Sequence, residues 1–441
     1  MLERSRFIVH ATRAVGKSLS TSGLRGVWEC SHRCASASAL PALSESPQED
    51  DKENHHTFYA RDMVYEFCGR AVDPADRSTR AANLDLETVK FGTVFTDHMF
   101  MAQHNQASGW EYPRIKPFGP LSIHPAAQVL HYGMTCFEGM KAYRGVDGKA
   151  RLFRPERNMN RLLSSASRLQ LATFDPNELL ECVKSLVRVD AEWLPNKEGH
   201  SLYIRPFAFS SAHVLGVAPP TQTTLSVIMS PVGPYFPNST NSLQSISLFI
   251  EERARRAWPG GVGCHKVGGN YAPTIQPQLD ASTMHGAHQV VYTHQAANNE
   301  DDAEFEECGA MNVFFFLENA TTGRLELATP DLGKGTILPG ITRDSILSLA
   351  REWGEFDVSE RPVTMIEIQT AVAQGRLKEV FGSGTACIVQ PVDALIRANG
   401  DVWRPVLRDP TSEESLARRL QKTLLDIQYG RTPHSWSHVV E

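Results

Sequence analysis

Residues 260–274 read GGVGCHKVGGNYAPT, and the task of the single lysine in this stretch decides what the fold is built around. Lys266 stands among five glycines, with no acidic residue between Gly260 and Leu279. Glycines allow the chain to approach a ligand closely. A lysine in such a loop can cradle phosphate, carry a cofactor covalently, or simply face water. The loop alone leaves all three open.

The bulk of the chain narrows the classes. Its 441 residues are 41% hydrophobic and 21% charged, enough for two or three domains with cores of their own. A formal net charge of −6 argues against nucleic acid as a partner, because phosphate backbones demand a basic face. No apolar run reaches the ~20 residues that would span a bilayer. The eight cysteines (30, 34, 68, 136, 182, 264, 308, 387) include no Cys-x-x-Cys pair. They offer no metal framework and fit a reducing compartment.

Residues 1–40 have a different composition: Arg4, Arg6, Arg13, Lys17, Arg25 and Arg33 stand against only Glu3 and Glu29, in a Ser- and Ala-rich background. That reads as a mitochondrial transit peptide over 1–50, with a cytoplasmic protein carrying an untargeted tail as the second choice. Polar residues 51–84 read as a lead-in. Beyond them, helical and strand patterns alternate. Asp175-Pro176-Asn177-Glu178 and Thr364-x-x-Glu367 are helix starts, and PERNMNRLLSSASRLQ and SLARRLQKTLLDIQYG have helical spacing. Strands are expected at 202–209, 224–232, 245–252, 288–294, 312–319, 324–330 and 385–392. The break around SPVGPYFPNSTNS predicts a connector at 233–242 between two α/β domains, 85–232 and 243–441, with mostly antiparallel sheets flanked by helices.

Two further segments have anion-binding character. In LPGITRD, Thr342 precedes the helical run RDSILSLAREWG, whose free N–H groups would face an anion. In GSGTA (382–386) the glycines admit a ligand to the backbone. Neither is a nucleotide P-loop, and Lys266 is followed by Val267 rather than Ser or Thr.

Together these segments carry a resemblance. HYGMTCFEGMKAYRGVDG (131–148), RLFRPERNMNRLL (151–163), SLYIRP (201–206), SPVGPYF (230–236), RRAWPGGVGCHKVGGNYAPT (255–274), ECGAMN (307–312), LATP with ILPGITRDSIL (327–347), FGSGTACIVQPV (381–392) and DIQYG (426–430) are similar, in order, to the branched-chain amino acid aminotransferases, the eukaryotic members above all. The likeness spans residues 88 to 430. It implies a two-domain fold type IV enzyme dependent on pyridoxal 5′-phosphate. The implied reaction moves the amino group of leucine, isoleucine or valine to 2-oxoglutarate in two alternating half-reactions, in the synthesis or the breakdown of these amino acids. A homodimer is implied as well.

Position by position, the resemblance makes Lys266 the cofactor-carrying lysine and proton carrier. Arg161 and Arg256 become phosphate-binding arginines, whose guanidinium forks suit that geometry. Ile341, Thr342 and Thr385 become further phosphate donors, and Tyr271 the phenol near the cofactor's ring oxygen. Glu307 faces the pyridine nitrogen, where a carboxylate keeps the ring an electron acceptor; Glu306 is the adjacent alternative. Phe95, Tyr132, Tyr203, Arg205, Tyr235 and Ala386 shape the substrate pocket, Arg205 and the Thr385–Ala386 turn on the carboxylate side.

The match departs at three places, one of them the stretch before Glu307, which is longer and more acidic than in the family and is why Glu306 stands as the alternative. Ala310 stands where the family has Thr, and a lost hydrogen bond commonly costs about 0.5–1.5 kcal/mol. A paralogue with a different substrate in a specialised pathway is therefore a second reading, and a catalytically dead binding relative a third. Gln390 replaces the second cysteine of the redox pair of vertebrate members, which leaves Cys387 alone.

Overall fold

The computed structural model describes residues 57–66, 81, 84–86, 88–234, 244–296 and 299–441, all within one compact unit, Lys52–Glu441. The expected transit peptide 1–50, most of the lead-in 51–84, Tyr235 and most of the connector 233–242 lie outside the described residues.

Nine strands of the first sheet come from the N-terminal half: β1 (Val64–Tyr65), β2 (His98–Asn105), β3 (Gly109–Trp110), β4 (Arg114–Pro117), β5 (Thr135–Phe137), β6 (Met140–Arg144), β7 (Ala150–Phe153), β8 (Ser201–Ser210) and β9 (Gln222–Val232). The second sheet holds β10 (Ile246–Glu251), β11 (Gln289–Ala296), β12 (Asn299–Cys308), β13 (Asn312–Glu318), β14 (Leu325–Thr329), β15 (Asp357–Glu360), β16 (Leu377–Gly384), β17 (Ile388–Ile396) and β18 (Val402–Trp403). The last strand, β19 (Ser437–Val439), returns to the first sheet and pairs antiparallel with β7. Among the described residues most pairings are antiparallel. The parallel ones are β1–β4, β10–β11, β10–β17 and β14–β15.

The longest ladder is β8 on β9, from Ser201↔Val232 to Ser210↔Thr223. Both strands are largely buried on both faces, because helices cover the apolar face and the site lies against the other, which carries Tyr203 and Arg205. In the second sheet the order β12-β11-β10-β17-β16-β13 closes on itself, since β12 also pairs with β13 at Glu307↔Asn312. This closure places Glu307.

Seven α-helices surround the sheets: α1 (Gln128–Tyr132), α2 (Pro155–Arg168), α3 (Pro176–Val189), α4 (Ile275–His285), α5 (Ile341–Trp353), α6 (Met365–Ala373) and α7 (Leu416–Gln428), counted among the described residues. The two starts read from the sequence are capped: the Asp175 side chain accepts from Asn177 N–H at 2.7 Å and Thr364 Oγ1 accepts from Glu367 N–H at 3.1 Å. Helices α2 and α3 bury Leu162, Leu179, Val183 and Leu186 against Leu202, Ile204 and Leu225 of the first sheet. Helices α5 and α7 cover Phe314 and Phe381 of the second.

Two segments differ from expectation. The acidic run before Glu307 is strand β12, stabilised by pairing with β11 and by the ion pair of Lys334 with buried Glu304. The strand expected at 385–392 begins three residues later. Thr385–Cys387 form the turn of the β16–β17 hairpin, and Ile388 at φ 64° re-enters the sheet.

Candidate active site

The lysine loop is pinned from two sides. Phe137 N–H of β5 donates to the Lys266 carbonyl at 3.0 Å, and Cys136 bridges to Val267. From α2, Ser165 Oγ accepts the Lys266 N–H at 2.9 Å. The backbone is therefore fixed while the half-buried side chain projects. Its Nζ donates to the Tyr271 hydroxyl at 3.0 Å and sits 4.9 Å from the centre of the Phe137 ring.

A cavity of about 310 Å³ opens around this amine, lined from both sheets. Of the residues named from the sequence, it brings together Lys266, Arg161, Arg256, Tyr271, Glu307, Ile341, Thr342, Thr385, Tyr203, Arg205 and Ala386. Phe95 lies elsewhere, stacked on Phe118 with centroids 4.7 Å apart. Tyr132 is also outside; it is exposed and its hydroxyl donates to the Leu215 carbonyl. Glu307 lines the cavity and Glu306 does not.

At one end, α5 begins at Ile341 after Gly340, which offers no side-chain cap, leaving first-turn N–H groups of Ile341 and Thr342 available to an anion. The preceding Leu338–Gly340 turn is held on three sides. Asn312 Nδ2 donates to the Leu338 carbonyl at 3.0 Å, Arg161 to the Pro339 carbonyl at 2.9 Å, and Leu338 N–H donates to Glu307 Oε1 at 3.1 Å. A Cβ at position 340 would overlap the Asn312 amide oxygen and displace the amide that holds this turn.

Both cavity arginines on this side are already paired. Arg161 makes a two-pronged contact to Glu138, Nε to Oε1 at 2.6 Å and Nη2 to Oε2 at 3.0 Å. Glu138 is fully buried and also accepts from Asn158 Nδ2 at 2.8 Å. Burial opposes its charge, yet Arg161, Lys266 and Asn158 outweigh burial and hold the carboxyl below its ordinary range. Arg256 pairs with Glu307 and donates to the Gly263 and Thr336 carbonyls. Burial lifts the Glu307 carboxyl above its ordinary value, with Arg256 and the Leu338 N–H pulling against it. Asn312 Nδ2 holds the second oxygen of Glu307 at 2.9 Å.

At the other end, the Arg205 guanidinium lies 4.8 Å from the Phe137 ring centre and 5.2 Å from that of Tyr203, donating to the Tyr203 hydroxyl at 3.3 Å. It makes no ion pair with an acid among the described residues, so it stands open to a carboxylate. Phe91 packs edge-on against Tyr203 at 4.8 Å. A Cβ at Gly139 would overlap the Tyr203 hydroxyl.

Sequence reasoning missed Phe91, Phe137, Glu138, Asn312 and Ser383. Phe137 and Glu138 stood inside the quoted HYGMTCFEGM run, and Asn312 closes ECGAMN. What hid them was contact with residues far away in the chain. Ser383 carries a buried hydroxyl without a protein partner, which no local pattern announces.

The family pattern of amino-transferase class IV matches residues 135–395. The chain belongs to this family. A cytosolic branched-chain-amino-acid aminotransferase of Mus musculus is 44% identical over 406 residues, 92% of this chain and 98% of that protein. A mitochondrial one of Bos taurus is 46% identical over 375 residues, 82% and 92% of the two chains. Among solved structures, a T.th. branched-chain amino acid aminotransferase complexed with N-(5′-phosphopyridoxyl)-L-glutamate is 25% identical, with a TM-score of 0.58 over 78% of this chain and 99% of that one. The Escherichia coli branched-chain enzyme shares the fold at a TM-score of 0.60.

This aminotransferase depends on pyridoxal 5′-phosphate, and its donor set fits that group. An uncapped helix start suits the phosphate, a buried carboxylate suits a protonated ring nitrogen, and a free lysine amine and phenol suit the carbonyl side. Burial pushes the Cys387 thiol up to about 12, and Gln390 donates to the Gln244 carbonyl at 2.6 Å.

Proposed function

We propose that the enzyme transfers the amino group of leucine, isoleucine or valine to 2-oxoglutarate, giving the branched 2-oxo acids and glutamate. The observation that carries this reading is the pairing, in one cavity, of the pinned Lys266 amine with an unpaired Arg205 under aromatic walls. Phe91, Phe137 and Tyr203 suit a branched aliphatic side chain, whose burial stabilises by roughly 1.5–3 kcal/mol. Arg205 suits the carboxylates that both amino acid and 2-oxoglutarate carry.

Pyridoxal 5′-phosphate supplies the carbonyl carbon that takes up the amino group and the ring that accepts the electrons left when Cα loses its proton. Arg161, Ile341, Thr342 and Thr385 hold the phosphate at the start of α5. Glu307 faces the ring nitrogen, and Arg256 acts through Glu307, its ion-pair partner. Tyr271 orients the Lys266 amine through its hydroxyl. With the cofactor bound, Lys266 Nζ would act as general base for the Cα proton of the substrate and then as general acid toward the cofactor's carbonyl-derived carbon. Thr385 and Ala386 complete the carboxylate side.

Three finer points belong to the same reading. The chain forms a homodimer, and exposed Leu130, Tyr132, Val214, Leu215 and Val217 offer an apolar face for a second copy. The enzyme is mitochondrial, directed by the basic segment within 1–50; relatives of both mitochondrial and cytosolic description exist. The sheets form two domains, 85–232 and 243–441, with β19 strapped back onto the first.

The test is an absorption spectrum of the protein with pyridoxal 5′-phosphate, before and after L-leucine. The lysine-bound cofactor band should form, collapse with leucine, and return with 2-oxoglutarate; Lys266→Ala should abolish the band and turnover. A band unmoved by leucine sinks the substrate assignment, and a Lys266→Ala enzyme with wild-type turnover sinks the role of the lysine.

A further inference from the structure

Beside the site lies one buried cation to which the reaction gives no task. Lys141 sits in β6 opposite Tyr203 of β8 and is 7% exposed. Its Nζ donates to the Ala386 carbonyl at 2.8 Å, so a side chain of the first sheet reaches the Thr385–Cys387 turn of the second. A buried ammonium without an anion is costly. Burial accordingly pulls Lys141 down to about 8. The titratable groups beside it do not compensate its charge. Burial pushes the Cys387 thiol up to about 12 and Tyr143 well above its ordinary value, so both are neutral at physiological pH. No carboxylate makes an ion pair with Lys141 among the described residues.

The charges of the main cavity sharpen the point. Arg161 is neutralised by Glu138 and Arg256 by Glu307. A phosphate dianion at the start of α5 therefore meets, in Arg161, a guanidinium whose charge is already matched.

Lys141 also lines a small separate cavity of about 20 Å³, together with Asn158, Thr342, Thr385 and Gln428. Roughly 10–15 Å³ is enough to hold one water. The Gln428 Oε1 atom is buried without a protein partner, and Lys141 has donors beyond the one given to Ala386. Thr342 and Thr385 line both cavities. They form the wall between the buried ammonium and the cofactor site.

We infer that Lys141 is the buried counter-charge of the phosphate cup, a positioning residue that acts through the Thr342–Thr385 wall and one enclosed water rather than by contact with the cofactor. This rests on the placement of the phosphate at the start of α5 proposed above. Loss of the charge should weaken binding of the phosphate and leave the ring's own contacts unchanged.

The test titrates the full-length, cofactor-free chain with pyridoxine 5′-phosphate and with pyridoxine, neither of which has a carbonyl for Lys266 to attack. Wild type should prefer the phosphate ester. Lys141→Gln should weaken the ester by roughly tenfold with pyridoxine unchanged, and Lys141→Arg should stay within about threefold of wild type. Should the glutamine variant not fold, Lys141→Met carries the same expectation. The inference is overturned if the ester binds the glutamine or methionine variant as it binds wild type. Equal weakening of both probes overturns it too, since that marks a structural staple only. So does an arginine variant as weak as the glutamine one. A wild type that fails to prefer the ester overturns the phosphate placement itself, which separates the two failures.

Discussion

Glu138 is fully buried, and both its oxygens lie on Arg161. It takes no part in the reaction, but without it a guanidinium at the cavity wall would be left uncompensated. Breaking such a pair from one side commonly costs about 3–5 kcal/mol, because the remaining charge stays buried. Glu138→Ala is therefore expected to lower the unfolding free energy by about 3 kcal/mol and to release the Pro339 carbonyl that Arg161 holds. Urea denaturation checks the first effect and cofactor titration the second. A variant within about 1 kcal/mol of wild type would show that Arg161 finds other partners. Glu138 stands in the same motif as Phe137, yet its importance was not legible. A glutamate in a run of mixed residues reads as surface until Arg161 and Asn158 arrive from a helix about twenty residues on. Lys266 was legible for the opposite reason: its five flanking glycines are a local peculiarity.

At the level of elements, ends were easier to read than partners. Asp175 and Thr364 announce α3 and α6 because an N-cap is a contact within three residues. Strand β12 was hidden because two of its glutamates, Glu304 and Glu307, are paired by the distant Lys334 and Arg256. The β16–β17 turn was hidden because it needs a positive φ at Ile388, a conformation that β-branched side chains rarely adopt. Long-range pairing also sets the acid response of the second sheet. Glu326 in β14 accepts from Arg361 Nε at 2.8 Å, and Arg361 in turn pairs with Glu367 of α6 at 2.7 Å. Burial alone would raise the Glu326 carboxyl, but Arg361, Ser359 and Asn319 together hold it at about 2, against an ordinary 4.5. A depressed folded-state value means that the unfolded chain takes up the proton first as pH falls. The stabilisation is whole above about 4.5 and is lost progressively as pH drops toward 2. Between about pH 5 and pH 3, wild type should lose urea resistance more steeply than Glu326→Gln, which has no proton to take up. Parallel slopes for the two proteins would contradict the assignment.

On the scale of the whole molecule, the order of motifs along the chain sufficed to place the family, the cofactor and eleven of the residues that line the cavity. It did not foretell the closure of the second sheet at Glu307↔Asn312 or the return of the C-terminus. Strand β19 crosses back after the second sheet is complete and pairs with β7, Ser437 opposite Phe153. Just before it, Trp436 packs edge-on against Phe153 and lies 4.5 Å under the Arg154 guanidinium. Arg154, 4% exposed and at φ 47°, reaches from there into the first turn of α5, with Nη2 on Asp344 at 2.6 Å and Nη1 on Ser345 Oγ at 2.7 Å. The C-terminus thus steadies the helix start proposed to hold the cofactor phosphate. Deleting residues 433–441 would expose β7 as a sheet edge, remove the cation–π contact worth about 0.5–1 kcal/mol, and leave Arg154 held only from the α5 side. The expected outcome is a lower melting temperature together with cofactor affinity weakened roughly three- to tenfold, whereas Trp436→Ala, which keeps the strand, should show a smaller version of both. Unchanged cofactor affinity in the truncated chain, measured by spectral titration, would mean that α5 is positioned by Asn312 and Arg161 alone.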